Sequence, residues 1–386
     1  MNGSSPLAAT RDGFGMDRVC MARAIQLAER GRFTTDPNPR VGCVIARDGR
    51  IVGEGWHRRA GEPHAERHAL VEAGERARGA TAYVTLEPCC HQGRTPPCTD
   101  GLLEAGIARL VCAMVDPNPL VAGRGLRLLA EAGVQVETGL LETEARALNP
   151  GFIKRMEQGR PYVRCKLAAS LDGRTAMVSG ESRWITSAAA RRDVQRLRAG
   201  SSAILTGIGT LLADDPSLNV RVAPEALDGM DAAGPIRQPL RVVVDSQWRT
   251  PPNARILSLP GATLIVGTAE APERIAALQS AGALTQHVHP RAGRVDLSAL
   301  LIELARRELN EVLIESGPTL AGAALHAGLI DEIVLYLAPH LMGDGARGLF
   351  HLPGLERMEE RIPLAFEEAR RVGQDLRLTL RPGAPH

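Results

Sequence analysis

The chain contains three potential metal ligands in two separate segments. One segment lies at the start of a predicted helix and the other at the end of a predicted strand, so a shared metal would require these two element ends to be adjacent in the fold. His64 opens the sequence His64-Ala65-Glu66 directly before a predicted helix, and Cys89 follows a predicted strand in Pro88-Cys89-Cys90. Cys98 comes nine residues after Cys89. An imidazole and two thiolates are typical zinc ligands, and a zinc with three protein ligands keeps its fourth position open for water. The pattern therefore predicts a fold that joins the helix start and the strand end at a catalytic zinc site.

Glu66 is predicted to be an acid–base group beside this metal and not one of its ligands. Bound zinc lowers the pKa of water from 15.7 to about 7, so a proton has to be taken up near neutral pH. A carboxylate two residues from His64 can accept that proton and deliver it to a leaving amine. General acid–base catalysis of this kind contributes about 10² to 10⁴ in rate.

Two other interpretations of the cluster stay open at this point. His64 and His68 have the i, i+4 spacing of a metalloprotease pair, but Glu66 occupies neither position that those motifs require. A closed structural zinc with Cys90 or His91 as its fourth ligand would leave Glu66 without a role. The other four cysteines lie in apolar runs and are predicted to be buried thiols of the core: Cys20, Cys43, Cys112 and Cys165.

The order H-x-E, then P-C and a later cysteine, resembles zinc deaminases that act on amino-pyrimidines and purines. The commonest version leaves two residues between the cysteines, whereas eight separate Cys89 from Cys98. With this longer loop, Cys-Cys-His-Gln-Gly-Arg-Thr-Pro-Pro-Cys, the segment closely resembles the deaminase half of the bifunctional pyrimidine deaminase/reductase of riboflavin biosynthesis. The resemblance implies a cytidine-deaminase-like three-layer fold and substrate contacts for Asn38 and His57. An ordinary turn in Asp-Pro-Asn-Pro also explains Asn38.

Composition argues against several other classes of protein. The 46 Lys and Arg nearly balance the 44 Asp and Glu, so there is no basic field for a nucleic-acid backbone. Only 3% of the residues are aromatic, too few for a base-stacking platform. No apolar run has the length of a membrane span or a signal peptide. We therefore expect a cytoplasmic enzyme for a small polar substrate, with no nucleic-acid or membrane partner. We also expect a homo-oligomer.

The 386 residues suggest two or three domains, and alternating helix and strand patterns predict α/β structure in both halves. We predict a flexible tail over 1–15, followed by a helix capped by Asp17. Periodicity breaks at Asn149-Pro150-Gly151, which begins a boundary region reaching Pro161. With the two halves that the resemblance implies, the predicted domains are a zinc-dependent deaminase over 16–150 and a reductase over 151–386.

Two glycine-containing turns in the second half each follow a strand-like run. The first, Thr206-Gly207-Ile208-Gly209-Thr210-Leu211-Leu212, lacks the third glycine of a dinucleotide-binding fingerprint. The second, from Glu315 to Gly322, opens a helix, and free amides at a helix N-terminus attract phosphate. Simple strand-to-helix turns would explain either one, but two in one domain favour phosphate binding.

Several segments of the second half resemble the reductase half of the same bifunctional family, which is similar to dihydrofolate reductase in fold and uses NADPH. These segments begin at Lys166 (KLAASLDGRTA), Ser179 (SGESRWIT), Ala213 (ADDP), Val244 (VDS) and Glu315 (ESGPTL). By matching position, the resemblance implies an NADPH site lined by Ala168, Trp184, Thr210, Asp214, Ser246, Gly317, Pro318, Thr319, Leu320, Ala321, Gly322 and Ala323. It implies that the substrate contacts Ser182, Arg198, Leu218, Arg221 and Glu315.

The resemblance thus implies two reactions on one chain: deamination of a diamino ribosylamino pyrimidinone phosphate, then reduction of its ribosyl group to ribityl. Arg198 and Arg221 suit the sugar phosphate, since guanidinium groups offer paired donors. Two alternatives remain: a nucleic-acid-associated module with a deaminase-like fold, and a zinc deaminase fused to an unrelated dehydrogenase. Balanced charge and scarce aromatics argue against the first, and NADPH-dependent turnover of the deaminated product would exclude the second.

Overall fold

A computed structural model of the chain describes residues 6–92, 96–227 and 235–383, with side chains from residue 15 onward. The chain forms two compact units. The first comprises Met1–Gln158 with the segment Pro224–Gly234, and the second comprises Gly159–Ala223 and Pro235–His386. None of the described helices is both long and apolar enough to cross a membrane.

The first unit contains six α-helices and five β-strands within its described residues. In chain order they are α1 (Pro6–Glu29), β1 (Gly42–Arg47), β2 (Arg50–Trp56), α2 (Ala65–Ala73), β3 (Thr81–Val84), α3 (Cys98–Glu104), β4 (Arg109–Cys112), α4 (Arg124–Glu131), β5 (Gln135–Thr138), α5 (Glu142–Leu148) and α6 (Pro150–Gln158). A 3-10 helix, Gly74–Ala77, continues α2.

The five strands form one sheet in the order β2-β1-β3-β4-β5, with helices covering both faces. Alternate residues of a strand point to opposite faces, so Cys43 and Ile45 pack with α2, α3 and α4. Val44 and Ala46 pack with α1, α5 and α6 on the other face. The predicted three-layer α/β arrangement is confirmed. All four cysteines predicted to be core thiols are buried: Cys20, Cys43, Cys112 and Cys165.

The hairpin between β1 and β2 turns at Asp48 and Gly49, an Asp-Gly pair between two strand-like runs that predicts such a turn. Both residues have positive φ angles, 51° and 72°, as a tight two-residue hairpin turn requires. Further along β2, Gly55 lets α2 lie directly on the strand. A Cβ atom at Gly55 would come within 2.2 Å of the Ala65 carbonyl oxygen. The close approach fixes the start of α2, where His64 lies.

The prediction that a helix begins at a capping Asp17 is wrong. Helix α1 begins at Pro6, so the segment 1–15, predicted as a tail, is helical from that residue; residues 1–5 lie outside the described part. Asp17 instead accepts hydrogen bonds from the Tyr83 hydroxyl at 2.7 Å and from Arg109 at 2.9 and 2.7 Å. These tertiary partners, absent from any local pattern, tie α1 to β3 and β4.

The second unit contains six α-helices and thirteen β-strands in its described residues. They are β6 (Tyr162–Ser170), β7 (Arg174–Ala176), α7 (Ala188–Ala199), β8 (Ala203–Gly207), α8 (Ile208–Asp214), β9 (Leu240–Val244), α9 (Arg255–Ser258), β10 (Thr263–Gly267), α10 (Pro272–Ser280), β11 (Leu284–His287), β12 (Pro290–Arg291), β13 (Arg294–Val295), α11 (Leu297–Arg306), β14 (Glu311–Ile314), α12 (Pro318–His326), β15 (Glu332–Ala338), β16 (Arg347–Gly348), β17 (Leu364–Val372) and β18 (Asp375–Pro382). This unit also contains the 3-10 helix Met358–Glu360, whereas the 3-10 helix Pro224–Ala226 lies in the segment that belongs to the first unit.

Nine of these strands form one sheet in the order β11-β10-β9-β8-β14-β6-β15-β18-β17. The strands from β11 to β15 pair in parallel, and β18 and β17 complete the sheet with antiparallel pairing. Helices α11 and α12 contribute Leu300, Leu304 and Ala324 to the largest apolar cluster, together with alternate strand residues. The parallel arrangement brings the carboxyl ends of β9, β8, β14 and β6 to one edge of the sheet.

The structure divides the chain between Gln158 and Gly159, inside the predicted boundary region but beyond the predicted division at 150. Residues 150–158 form helix α6. Phe152 and Ile153 are buried against the sheet of the first unit, which assigns this helix to the first unit.

Candidate metal centre and cleft

His64 is the residue at which the backbone enters helix α2. Its backbone is extended, with φ −76° and ψ 170°, and its side chain caps no helical amide. The imidazole instead points toward two thiols. Its Nδ1 lies 3.5 Å from the Cys89 sulfur and 3.3 Å from the Cys98 sulfur. The predicted ligands from a helix start and a strand end are therefore together.

Backbone hydrogen bonds hold the two sulfur ligands next to each other. Cys98, the first residue of α3, donates its amide to the Cys89 carbonyl oxygen at 3.0 Å and to the Cys89 sulfur at 3.4 Å. Thr99 donates to the same carbonyl oxygen at 3.2 Å. These bonds hold Cys89 and Cys98 in contact across the eight residues that separate them in sequence. Residues 93–95 of the loop between them lie outside the described part of the chain.

The donor set fits zinc. The three ligand atoms lie within 4.8 Å of one another. A tetrahedral zinc with usual Zn–S and Zn–N bond lengths separates nitrogen from sulfur by about 3.6 Å, close to the two distances that His64 makes. Of the described residues, neither Cys90 nor His91 joins this group of ligands. The geometry therefore favours three protein ligands over the closed four-ligand alternative.

The two thiols differ in proton affinity because they share one hydrogen bond. The Cys98 thiol donates to the Cys89 sulfur, and this bond, with help from His64, lowers the pKa of Cys89 to about 4. The same bond and burial raise the pKa of Cys98 well above its ordinary value. One sulfur is thus a ready thiolate, the form that binds metal.

Glu66 lies in the first turn of α2 and is 3% exposed. Burial raises the pKa of its carboxyl group, and the nearby His64 opposes that shift. Its Oε2 atom is buried without a hydrogen-bond partner among the described residues. A buried carboxylate oxygen rarely stays unpartnered, so this atom is available to a group that enters the site.

His57 and Asn38 form one wall beside the ligands. The Asn38 amide nitrogen lies 3.1 Å from His57 Nε2, and His57 Nδ1 lies 3.3 Å from the Pro63 carbonyl oxygen. These contacts fit a neutral ring that donates from Nδ1 and accepts at Nε2. Burial lowers the pKa of His57 to about 4, which keeps the ring neutral at pH 7. Its ring meets that of His64 edge-on, 5.2 Å between centroids.

Glu87 is a functional candidate that the sequence analysis missed. The side chain is 4% exposed and accepts four backbone hydrogen bonds, at 2.8 to 3.4 Å, from Asp116, Gly123, Gly125 and Leu126. A Cβ atom at Gly125 would lie 2.2 Å from the Pro88 carbonyl oxygen. Glu87 thus fixes the segment before Cys89 against the start of α4. Its place directly before Pro88-Cys89 was the available signal.

The second unit contains a cleft of about 1970 Å³ along the carboxyl ends of its central strands. The two glycine-containing turns lie in its lining: Gly207 precedes α8 and Gly317 precedes α12. The Gly317 amide donates to Thr210 Oγ1 at 3.1 Å, so one turn supports the other. The lining holds ten arginines and one lysine against four carboxylates, which suits ligands that carry phosphate.

Most residues that the sequence assigns to the second site line this cleft. They are Ala168, Ser182, Trp184, Arg198, Thr210, Asp214, Leu218, Arg221, Ser246, Glu315, Gly317, Pro318, Thr319, Leu320 and Ala323. Ala321 and Gly322 do not belong to the lining. Ala321 is fully buried, and a Cβ atom at Gly322 would lie 2.1 Å from the His351 carbonyl oxygen. The helical turn of α12 points these two residues away from the cleft.

Arg198 forms a buried ion pair with Glu315. Its guanidinium donates to both Glu315 carboxylate oxygens, at 2.6 and 2.9 Å, and to the Asn219 carbonyl oxygen at 3.1 Å. Burial alone would raise the pKa of Glu315, but Arg198, Lys166 and Arg221 lower it overall. The expectation that Arg198 neutralises a sugar phosphate therefore fits less well than a role in fixing Glu315.

Lys166 is a second functional candidate, and it has no role among those that the sequence resemblance implies. It lies on β6 and lines the cleft. Burial lowers the pKa of its ammonium group, and the charge of Glu315 opposes that shift. A lysine whose proton is held less tightly can take part in proton transfer, which makes Lys166 a candidate catalytic residue.

Two family models match the chain. The model of the cytidine and deoxycytidylate deaminase zinc-binding region matches residues 16–114, and the RibD C-terminal domain model matches residues 161–378. Together with the metal centre and the cleft, these matches define a zinc-dependent deaminase joined to a reductase.

Similar proteins carry the same pair of domains. The riboflavin biosynthesis protein RibD of Escherichia coli K12 is 55% identical over 370 residues, covering 94% of this chain and 99% of that protein. A structure of Acinetobacter baumannii RibD matches with a TM-score of 0.88 and 47% identity, covering 96% of this chain and 99% of that chain. A deaminase/reductase structure from Thermotoga maritima matches with a TM-score of 0.82 and 31% identity, also covering 96% of this chain and 99% of that chain.

The chain belongs to the RibD family of bifunctional deaminase/reductases of riboflavin biosynthesis. Its cofactors are Zn²⁺ and NADPH. The resemblance stated from the sequence is confirmed for the fold of the first unit and for both activities. The alternatives of a nucleic-acid module and of an unrelated dehydrogenase fusion are thereby excluded.

Proposed function

We propose that His64, Cys89 and Cys98 hold the zinc ion of the deaminase and that Glu66 moves the proton. The observation that carries this proposal is the unpartnered, buried Oε2 atom of Glu66 beside three converging ligand atoms. When bound, zinc supplies a Lewis acid that activates water near neutral pH. Water then replaces the exocyclic amine of an amino-pyrimidine, and ammonia leaves.

Glu66 has the properties that this exchange needs. Because burial raises the pKa of its carboxyl group, it can take a proton from the attacking water and hold it near neutral pH. The same proton then passes to the departing nitrogen. Asn38 and His57 bind the pyrimidine beside the ligands, with the neutral His57 ring fixed by Pro63 and Asn38.

The proposed substrate is the diaminohydroxyphosphoribosylaminopyrimidine named for the Thermotoga maritima neighbour. After deamination, reduction converts the ribosyl group to ribityl at its C1 carbon. When bound, NADPH supplies the hydride for that step. The protein orients cofactor and substrate in the cleft of the second unit: the glycine-containing turns hold the cofactor, and Glu315, fixed by Arg198, contacts the sugar. Arg221 and Ser182 complete the substrate contacts.

A coupled assay tests this function. Zinc-loaded protein receives the diamino substrate with NADPH or NADH, and ammonia release and nicotinamide absorbance are followed together. We expect ammonia release without nucleotide and oxidation of NADPH only after deamination. Ammonia release from RNA but not from the free pyrimidine phosphate would contradict the proposal.

We also propose that the deaminase comprises residues 16–150 with helix α6 attached and that the reductase comprises residues 159–223 and 235–386. The proposed location of the protein is the cytoplasm. Free thiols support the location, because all seven cysteines are unpaired. Cell fractionation with an antibody against the chain tests it, and recovery outside the cytoplasmic fraction would contradict it.

A homo-oligomer is the proposed assembly. Strand β17 forms one edge of the nine-stranded sheet, and Phe366 on it is 72% exposed. An open edge with exposed apolar side chains favours pairing with a second copy of the chain. Light scattering after size exclusion should give a multiple of 41.2 kDa, and Phe366→Lys should lower it. A wild-type mass equal to one chain would contradict the proposal.

A further inference from the structure

A short hairpin at the rim of the reductase cleft carries two arginines side by side. Strands β12 and β13 pair Arg291 with Arg294 across a two-residue turn at Ala292 and Gly293, whose φ angles are 50° and 72°. Residues 291–294 all line the cleft. Neither arginine forms an ion pair with a described residue. Like charges directly opposite each other on paired strands are unfavourable, so this arrangement favours an anion between them.

The hairpin is anchored and not a loose loop. Val295, next to Arg294, is buried in the largest apolar cluster of the second unit. Its amide donates to the Ser246 hydroxyl oxygen at 3.2 Å. Asp296 then caps α11 by accepting from the Ser298 and Ala299 amides. The position of the two arginines relative to Ser246 is therefore fixed before any ligand binds.

Ser246 adds a third donor at the same place. Its hydroxyl oxygen accepts the Val295 amide, which leaves the hydroxyl proton free to donate to a ligand. Ser246 lies directly after β9 and lines the cleft. Two guanidinium groups and a hydroxyl at one rim are typical of a site for a phosphate monoester.

The strand order indicates which phosphate group of the ligands this site would bind. The Gly317 turn, at the end of β14, presents the amides of α12 and suits the pyrophosphate of the dinucleotide. Lys166 on β6 lies to one side of that turn, and Ser246 after β9 lies to the other. Two strand spacings, about 10 Å, separate β14 from β9. The adenosine end of a dinucleotide reaches in that direction when its nicotinamide faces β6.

The phosphate of the substrate has a different candidate site. Arg221 donates to the Asn219 side-chain oxygen at 2.9 Å, and Arg198, the partner of Glu315, donates to the Asn219 carbonyl oxygen at 3.1 Å. Glu315 directly follows β14, so this group lies at the end of β14, whereas Ser246 lies after β9, two strands along the sheet. We propose that Arg291 and Arg294, with Ser246, bind the 2′-phosphate of NADPH and make this reductase discriminate against NADH. The inference rests on the proposed cofactor site and adds the residues that choose between the two nucleotides.

Binding measurements on the zinc-loaded full chain test the proposal without turnover. Quenching of tryptophan fluorescence by NADPH and by NADH gives both dissociation constants, since Trp184 is exposed in the cleft lining. In the variant R291Q/R294Q we expect the dissociation constant for NADPH to rise about 10- to 100-fold, as loss of charge-assisted bonds predicts. The constant for NADH should stay within about twofold of wild type.

Arg306→Gln is the matched control, because Arg306 is an exposed arginine of the same unit outside the cleft lining. It should leave both constants unchanged. Unchanged NADPH binding in R291Q/R294Q overturns the proposal, and so does an equal loss for NADPH and NADH. An increased KM for the pyrimidine with normal NADPH binding assigns the arginines to the substrate and also overturns it. A wild-type chain that binds neither nucleotide refutes the cofactor site itself, a result distinct from lost discrimination.

Discussion

The two sites of this chain differ in how their residues are distributed along the sequence. The proposed metal centre draws its candidate ligands and its carboxylate from two short segments, 64–66 and 89–98. The cleft of the second unit is lined by residues spread from 160 to 349. Chemistry at one metal ion needs a few donors at fixed positions, whereas an extended cofactor and substrate are bound over a surface. A site of the first kind therefore leaves a compact sequence motif, whereas a cleft of the second kind does not.

The substitution Glu66→Gln should separate the two sites most strongly. The glutamine side chain keeps the shape of glutamate but cannot take up a proton, so deamination should fall by about 10² to 10⁴-fold. Zinc content should not change, and reduction of supplied deaminated substrate should not change either. Ammonia release, metal analysis and NADPH oxidation measure the three quantities. Equal loss of both activities would contradict two independent sites.

Loss of Glu315 should lower the free energy of unfolding, because a buried positive charge in the cleft would lose its partner. Glu315→Ala leaves Arg198, which is 9% exposed, without its carboxylate. Breaking such a buried pair costs about 3 to 5 kcal/mol of unfolding free energy. Denaturant unfolding measures the change, and reduction should be lost while deamination continues.

Glu303→Gln is the control for that experiment. Glu303 pairs with Arg306 and Arg307 at the surface, and such pairs contribute about 0 to 1 kcal/mol. If both variants lose similar stability, the Arg198–Glu315 pair is no more important than a surface ion pair, and the account of Glu315 fails.

Glu87→Gln should weaken zinc binding without removing a ligand. The carboxylate holds four amides around the segment that carries Cys89, and groups that orient metal ligands affect metal affinity by about 10- to 100-fold. Competition with a chelator measures this affinity. Unchanged affinity with lowered thermal stability would mean that Glu87 supports only the fold.

The smallest effect should come from Cys90. Cys90→Ser should retain one zinc per chain and full deamination, because Cys90 lies outside the ligand cluster. Cys89→Ser is its matched partner and should lose most of the metal. Loss of zinc from the Cys90 variant would show that the sulfur ligand has been misassigned.

The sequence predicted which three side chains come together at the proposed metal centre better than it predicted the element boundaries around them. From the sequence, Asp48 and Gly49 between two strand-like runs predict a hairpin, and a helix is predicted around Arg124 to Glu131. Both elements have these positions, since local turn chemistry and helical periodicity decide them. The start of α1 and the role of Asp17 could not be predicted, because Tyr83 and Arg109 come from distant strands.

Several strands of the second unit were not predicted from the sequence, and two of them, β6 and β17, show the physical reason. In β6, Arg164 and Lys166 alternate with apolar residues, and their charges find partners only in the folded sheet. In β17 nearly every residue is exposed, so no alternation of apolar side chains marks it. The Arg198–Glu315 pair joins residues 117 positions apart and has no local signal at all.

X-ray absorption at the zinc edge tests the central claim most directly. For the zinc-loaded wild-type chain we expect two sulfur neighbours at about 2.3 Å and two nitrogen or oxygen neighbours at about 2.0 to 2.1 Å, one of them exchangeable with solvent. Three or four sulfur neighbours, or a shell closed by protein atoms alone, would contradict a deaminase centre built from His64, Cys89 and Cys98.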